Sequence, residues 1–155
     1  WESAVRQGDA AAVLVIPVLR PSGALVLIRQ YRPPVDGYVV EFPAGLVNPG
    51  EDPAAAAVRE VLEETGYRGT VTWLGPGTCS SPGMTSESVM LARMDIDETR
   101  PENRRPEARP DEGEEIEVCV VPPAGLAAFL RAEQEAGCHI DSRTAAYALG
   151  CGLTW

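Results

Sequence analysis

The sequence predicts a mixed α/β fold, a sheet with antiparallel parts flanked by helices. Early Val, Ile and Leu-rich segments at hairpin spacing, a sharply bounded helix over 53–65 and two late helical segments carry that reading. At 155 residues the chain fits one ordinary domain over 1–155, and a 45 % apolar content is enough for its core.

Ala11–Leu19 and Ala24–Tyr31 flank Pro21-Ser22-Gly23 and read as a hairpin of buried strands. Gly37–Phe42 is a third short strand, leading into Pro43-Ala44-Gly45. Asp52 is a good N-cap, Pro53 takes the first helical position, four alanines follow and Gly66 supplies the stop, which defines the helix. Tyr67–Leu74 and Glu87–Ile96 read as strands on either side of a turn-rich 75–86. Prolines and mixed charges over 97–115 predict a long mobile loop. Ile116–Val121 is a further strand, Pro123–Ala136 an amphipathic helix, and Asp141 caps a last helix through Leu149.

A formal charge of −10 argues against a nucleic-acid partner or an anionic membrane surface. A small anionic substrate stays open, provided that arginines or metal ions meet it. Four cysteines form no C-x-x-C pair and only one histidine accompanies them, which argues against structural zinc. The longest apolar run, Ala10 to Leu19, is broken by Pro17 and too short to span a bilayer. A reduced, cytoplasmic location is expected, with the nucleus also open. The chain begins at Trp1 without a methionine, and further residues are expected upstream.

The helix carries the first chemical signal. At about 100° per residue, Ala54, Ala55, Val58, Val61, Leu62 and Thr65 fall on one side, the expected core face. Glu60, Glu63 and Glu64 cluster opposite, among the small Ala56 and Ala57. A solvated face explains most exposed glutamates. Here no lysine balances them, Arg59 alone lies near their edge, and the negative end of the helix dipole opposes them. A divalent cation relieves both penalties, and an all-oxygen ligand set suits Mg²⁺ or Mn²⁺.

Those residues belong to a longer pattern. Gly45, Glu51, Arg59, Glu60, Val61, Glu63, Glu64, Gly66 and Tyr67 fit G-x5-E-x7-R-E-U-x-E-E-x-G-U, where U is bulky and apolar. At about 5 % usage per residue type, its seven fixed positions coincide by chance roughly once in 10⁹ windows, so the match is specific. The chain resembles the Nudix hydrolases. Gln30-Tyr31-Arg32-Pro33-Pro34, the run from Gly37 to Gly45, Trp1-Glu2-Ser3, Ser81-Pro82-Gly83 and the segment from Asp141 to Leu149 are similar to the eukaryotic ADP-ribose (ADP-sugar) pyrophosphatases.

The resemblance implies an α/β/α sandwich holding divalent metal against a substrate diphosphate. It makes Glu60, Glu64 and the Ala44 carbonyl metal ligands, with Glu63 a further ligand or water-bridged neighbour. It has Arg59 orient the carboxylates, with Glu51 as partner, and has Gly45 and Gly66 allow the loop turns at either end of the helix. Trp1 would stack on adenine and Glu2 accept from its amino group, although a terminal Trp is also read as a frayed hydrophobe. Arg6 and Arg32 would hold phosphate oxygens, with a solvated role open for Arg6. Glu41 would point into the site, or be a buried paired glutamate. Glu114 would be a metal ligand and base, with Glu112 or Glu115 as alternatives if the register slips.

The implied reaction is metal-dependent hydrolysis of ADP-ribose to AMP and ribose 5-phosphate. Other ADP-sugars, oxidised nucleoside diphosphates and a non-catalytic binding module are the alternatives. The related proteins also imply a homodimer, built with a segment that precedes the position of Trp1.

Overall fold

The computed structural model describes residues 2–4, 11–110, 113 and 115–155. Its strands are β1 (Ala12–Arg20), β2 (Leu25–Arg32), β3 (Gly37–Glu41), β4 (Ala44–Leu46), β5 (Thr70–Cys79), β6 (Ser88–Asp97), β7 (Ile116–Val121) and β8 (His139–Ile140). Its helices are α1 (Pro53–Thr65), α2 (Pro101–Arg104), α3 (Leu126–Glu135) and α4 (Ser142–Gly150).

The strands form one mixed sheet in the order β5-β6-β1-β2-β3-β8, with β4 on β1 and β7 on β2. β1 and β6 run parallel, as do β3 and β8, and the remaining pairs are antiparallel. The predicted hairpin forms but parts early, with Val18 opposite Leu25 its registered pair. Beyond that point β4 takes β1 at Ala12–Leu14, while β3 takes β2 at Ile28–Arg32. The short link Phe42-Pro43 therefore bridges the gap, and the Val15 N–H donates to the Pro43 carbonyl at 2.9 Å. The candidate site opens where the two strands diverge.

β1 is buried on both faces, in keeping with its apolar residues at consecutive positions on either side of Pro17. Val13 and Val15 pack with Ala56, Ala57 and Val61 of α1 on one side of the sheet. Leu14 and Val18 pack with Leu126 and Leu130 of α3 and Ala148 of α4 on the other. Helices on both faces make the sandwich that the family resemblance implies.

Three expectations change. Ala56, Ala57, Val61 and Glu64 face inward, whereas Ala55 and Val58 are exposed. The helix is rolled because its glutamate edge, not open solvent, lies against β4. The loop over 97–115 contains α2, anchored by the buried Asn103. Asn103 Nδ2 donates to the Arg68 and Asp97 carbonyls, and its Oδ1 accepts from the Arg68 N–H. β5 runs on to Cys79 through two register shifts, taking in part of the turn-rich segment.

Candidate active site

Asp52 caps α1 through the Ala55 N–H at 3.0 Å, and Gly66 ends it in the left-handed region at φ 76°. A Cβ at Gly66 would also overlap the Glu107 backbone, so the helix stop and the loop between β6 and β7 need the same glycine. Between these ends α1 presents Glu60, Glu63 and Glu64 to a cleft of about 550 Å³.

Glu64 is 4 % exposed and accepts from the Ala44 N–H at 3.0 Å. Val15 bonding Pro43, and Val47 bonding Ala11, leave Leu14 and Ala44 as a non-hydrogen-bonded pair, so both polar groups of Ala44 face away from β1. The Ala44 carbonyl thus lies on the same side of β4 as its N–H, toward Glu64.

Arg59 ties the cluster together. Its Nε and Nη2 grip the two Glu51 oxygens at 2.9 and 3.0 Å. Nη1 donates to Glu60 at 2.7 Å and Glu63 at 2.9 Å, and Nη2 also reaches the Leu46 carbonyl. The Arg59 fork, helped by the Asn48 N–H, holds the Glu51 carboxyl down at about 2. Gly45 is required for a different reason from the turn expected of it. A Cβ there would fall on the Glu60 carboxylate.

Arg32 Nε donates to Glu41 Oε1 at 2.8 Å, so Glu41 is both a paired buried glutamate and a lining residue of the cleft. Burial pushes its pKa up against the pull of Arg32. Arg143, Glu87 and Asn48 line the cleft too and were not singled out as site residues. The Asp-x-Arg spacing at the start of α4 was the available signal for Arg143. Glu2 is exposed and does not line the cleft. Trp1, Arg6, Glu112 and Glu114 lie outside the described residues.

Among the described residues no three acidic side chains converge on one point as they stand. Arg59 and the Ala44 N–H draw them aside. The donor set nevertheless fits a hard divalent cation. It is oxygen-only, Glu60 and Glu64 are one helical turn apart, and the missing Cβ of Gly45 leaves the Glu60 carboxylate room.

A family model described as NUDIX domain matches residues 8–140. The chain belongs to the Nudix family. Among its relatives, this Nudix chain is 38 % identical to the ADP-sugar pyrophosphatase of Mus musculus, over 96 % of its own length and 72 % of the relative's. It is 36 % identical to the ADP-ribose pyrophosphatase of Saccharomyces cerevisiae, over 76 % of its length and 54 % of that protein's. A crystal structure of an ADP compounds hydrolase superposes with a TM-score of 0.62 at 26 % identity, covering 81 % of this chain and 64 % of that one. The Nudix hydrolase motif therefore sits on the Nudix fold, with its carboxylates turned into the cleft described above.

Proposed function

We propose that this Nudix hydrolase cleaves ADP-ribose to AMP and ribose 5-phosphate, with Mg²⁺ as the working cation and Mn²⁺ as a substitute. The observation that carries the reading is the packing of Glu60 against Gly45 and of Glu64 against the Ala44 N–H, in a cleft that Arg32 also lines. The names of the mouse and yeast relatives support the substrate.

Glu60, Glu64 and the Ala44 carbonyl would hold the cation, with Glu63 beside them and Glu114 a further ligand from the loop. When bound, Mg²⁺ neutralises charge on the diphosphate and lowers the pKa of water. Arg59 orients Glu60 and Glu63. Arg32, kept in place by Glu41, binds phosphate oxygens, as does Arg6. Trp1 stacks on the adenine and Glu2 accepts from its amino group. Glu114 takes the proton of the attacking water. The oxygen then bonds to one phosphorus, and the bridging oxygen leaves with the other.

Other ADP-sugars use the same groups, and the name of the mouse relative makes them the second substrate class. A non-catalytic module has no need of a complete carboxylate set. The domain is taken to span 1–155, and the assembly to be a homodimer, as the family resemblance implies. Four free thiols support a reducing compartment, cytoplasm or nucleus. No described helix is long and apolar enough to cross a membrane.

The test is AMP release from ADP-ribose with Mg²⁺, in wild type, Glu64→Gln and an EDTA control. Glu64→Gln should lose on the order of 10²-fold or more in kcat, as for other groups that stabilise a transition-state charge. A folded wild type that releases no AMP with ample Mg²⁺ overturns the ADP-ribose reading.

A further inference from the structure

Opposite the glutamates the cleft has a wall whose chemistry these roles leave unused. Val40 pairs in parallel with Ile140, so the chain leaves β3 and β8 side by side and Asp141 emerges next to Glu41. The Asp141 N–H fixes this by donating to the Val40 carbonyl at 3.0 Å. Asp141 then acts twice. Its Oδ1 caps α4 through the Arg143 and Thr144 N–H groups. Its two oxygens also receive a fork from the Arg143 side chain, Nε to Oδ1 at 3.2 Å and Nη2 to Oδ2 at 3.0 Å.

The Asp141 side chain is 13 % exposed and that of Arg143 38 %, so the anchor is buried and the guanidinium is open to the cleft. Of five guanidinium N–H groups, Asp141 occupies two, which leaves a planar face of donors. The Glu41 and Glu87 carboxylates act on it electrostatically, but each also has a donor of its own. Glu41 is already paired with Arg32, and Glu87 accepts from the Ser80 hydroxyl at 2.9 Å. An arginine whose plane is fixed beforehand gives up little freedom when it meets a phosphate.

We infer that Arg143 binds the substrate, taking non-bridging diphosphate oxygens from the α4 side of the sheet while α1 presents its glutamates from the other, and that Asp141 is its positioning residue. This rests on the pyrophosphohydrolase reading above. Arg32 and Arg143 then form a two-guanidinium wall facing an acidic, cation-binding one. The diphosphate lies between them.

The experiment compares wild type, Arg143→Gln, Arg143→Lys and Asp141→Asn in two assays. In steady-state AMP release, Arg143→Gln should raise KM and lower kcat/KM roughly 10–100-fold, the value of a charge-assisted hydrogen bond. Arg143→Lys should recover part of the loss, and Asp141→Asn, still a competent helix cap, should show a smaller rise in KM. In calorimetric titration with ADP, which needs no turnover, Arg143→Gln should bind about tenfold more weakly. A residue that merely braces α4 would lower the melting temperature and leave KM and ADP affinity unchanged. That outcome overturns the assignment, as does a kcat/KM within threefold of wild type. A wild type that binds ADP but releases no AMP sinks the ADP-ribose reading alone, and the ADP titration then decides Arg143. A wild type that binds neither nucleotide overturns both.

Discussion

Two glycines frame the glutamates and should respond to alanine in opposite ways. At Gly45 the added Cβ meets the end of the Glu60 side chain, which can swing aside. Gly45→Ala should therefore cost about 1 kcal/mol or less of stability, the scale of one solvated hydrogen bond, while abolishing most Mg²⁺-dependent turnover. At Gly66 the added Cβ meets the Glu107 backbone with φ already at 76°, and neither can yield cheaply. Gly66→Ala should lose about 2–4 kcal/mol from strain and overlap together. Urea melts and AMP release on both variants check this. A Gly45→Ala enzyme with normal activity would remove the reason given for that glycine. The motif spacing made both positions legible, but only Gly66 for the right cause. Gly45 was expected to serve a turn, and a close approach between β4 and α1 is a tertiary fact that no local pattern records. The burial of Glu64 escaped for the same reason. A helical wheel places Glu60 and Glu64 side by side without revealing that a strand lies against them.

At the scale of elements, the loop between β6 and β7 shows how a polar segment becomes framework. Asn103 is 4 % exposed, and its amide satisfies both polar groups of Arg68 and the Asp97 carbonyl. Downstream, the Arg109 N–H donates to the Glu63 carbonyl at 2.7 Å, so the loop also closes the C-terminal end of α1. Asn103→Ala strips three bonds at once and leaves buried partners unpaired, which should cost about 2–4 kcal/mol. Chemical denaturation would show it as a lower midpoint at unchanged slope. A loss below about 0.5 kcal/mol would return the segment to the surface loop that its composition suggests. Long apolar strands and α1, with its Asp52 cap and Gly66 stop, were legible because their periodicity and caps are local. β4 and β8, of three and two residues, carry no period and exist through their partners β1 and β3. α2 was hidden by charge, since one buried amide outweighs a polar composition. The Asp141 cap was read correctly, yet Arg143 was passed over because its importance depends on β3 and β8 emerging together.

Across the whole molecule, a chain of net charge −10 must attract a substrate that is itself an anion. Among the described residues, five carboxylates line the cleft against three guanidiniums: Glu41, Glu60, Glu63, Glu64 and Glu87, with Arg32, Arg59 and Arg143. Arg59 is committed to Glu51, Glu60 and Glu63, so the cleft by itself does not favour a diphosphate. A cation placed among the α1 glutamates changes that balance, and it should also change stability. Binding to the folded state alone at a hundred times the dissociation constant stabilises by about 2.7 kcal/mol. For a chain of this length that raises the melting temperature by roughly 5–10 °C. We expect Mg²⁺ to produce such a rise in wild type, EDTA to reverse it, and the Glu60→Gln, Glu64→Gln double variant to lose most of it. NaCl at equal ionic strength should give only the small shift of general screening. An equal rise in wild type and double variant would place the cation elsewhere on the acidic surface, and the cleft would then have to meet its substrate through arginines alone. The readout needs no substrate, so it separates the metal site from the choice of sugar.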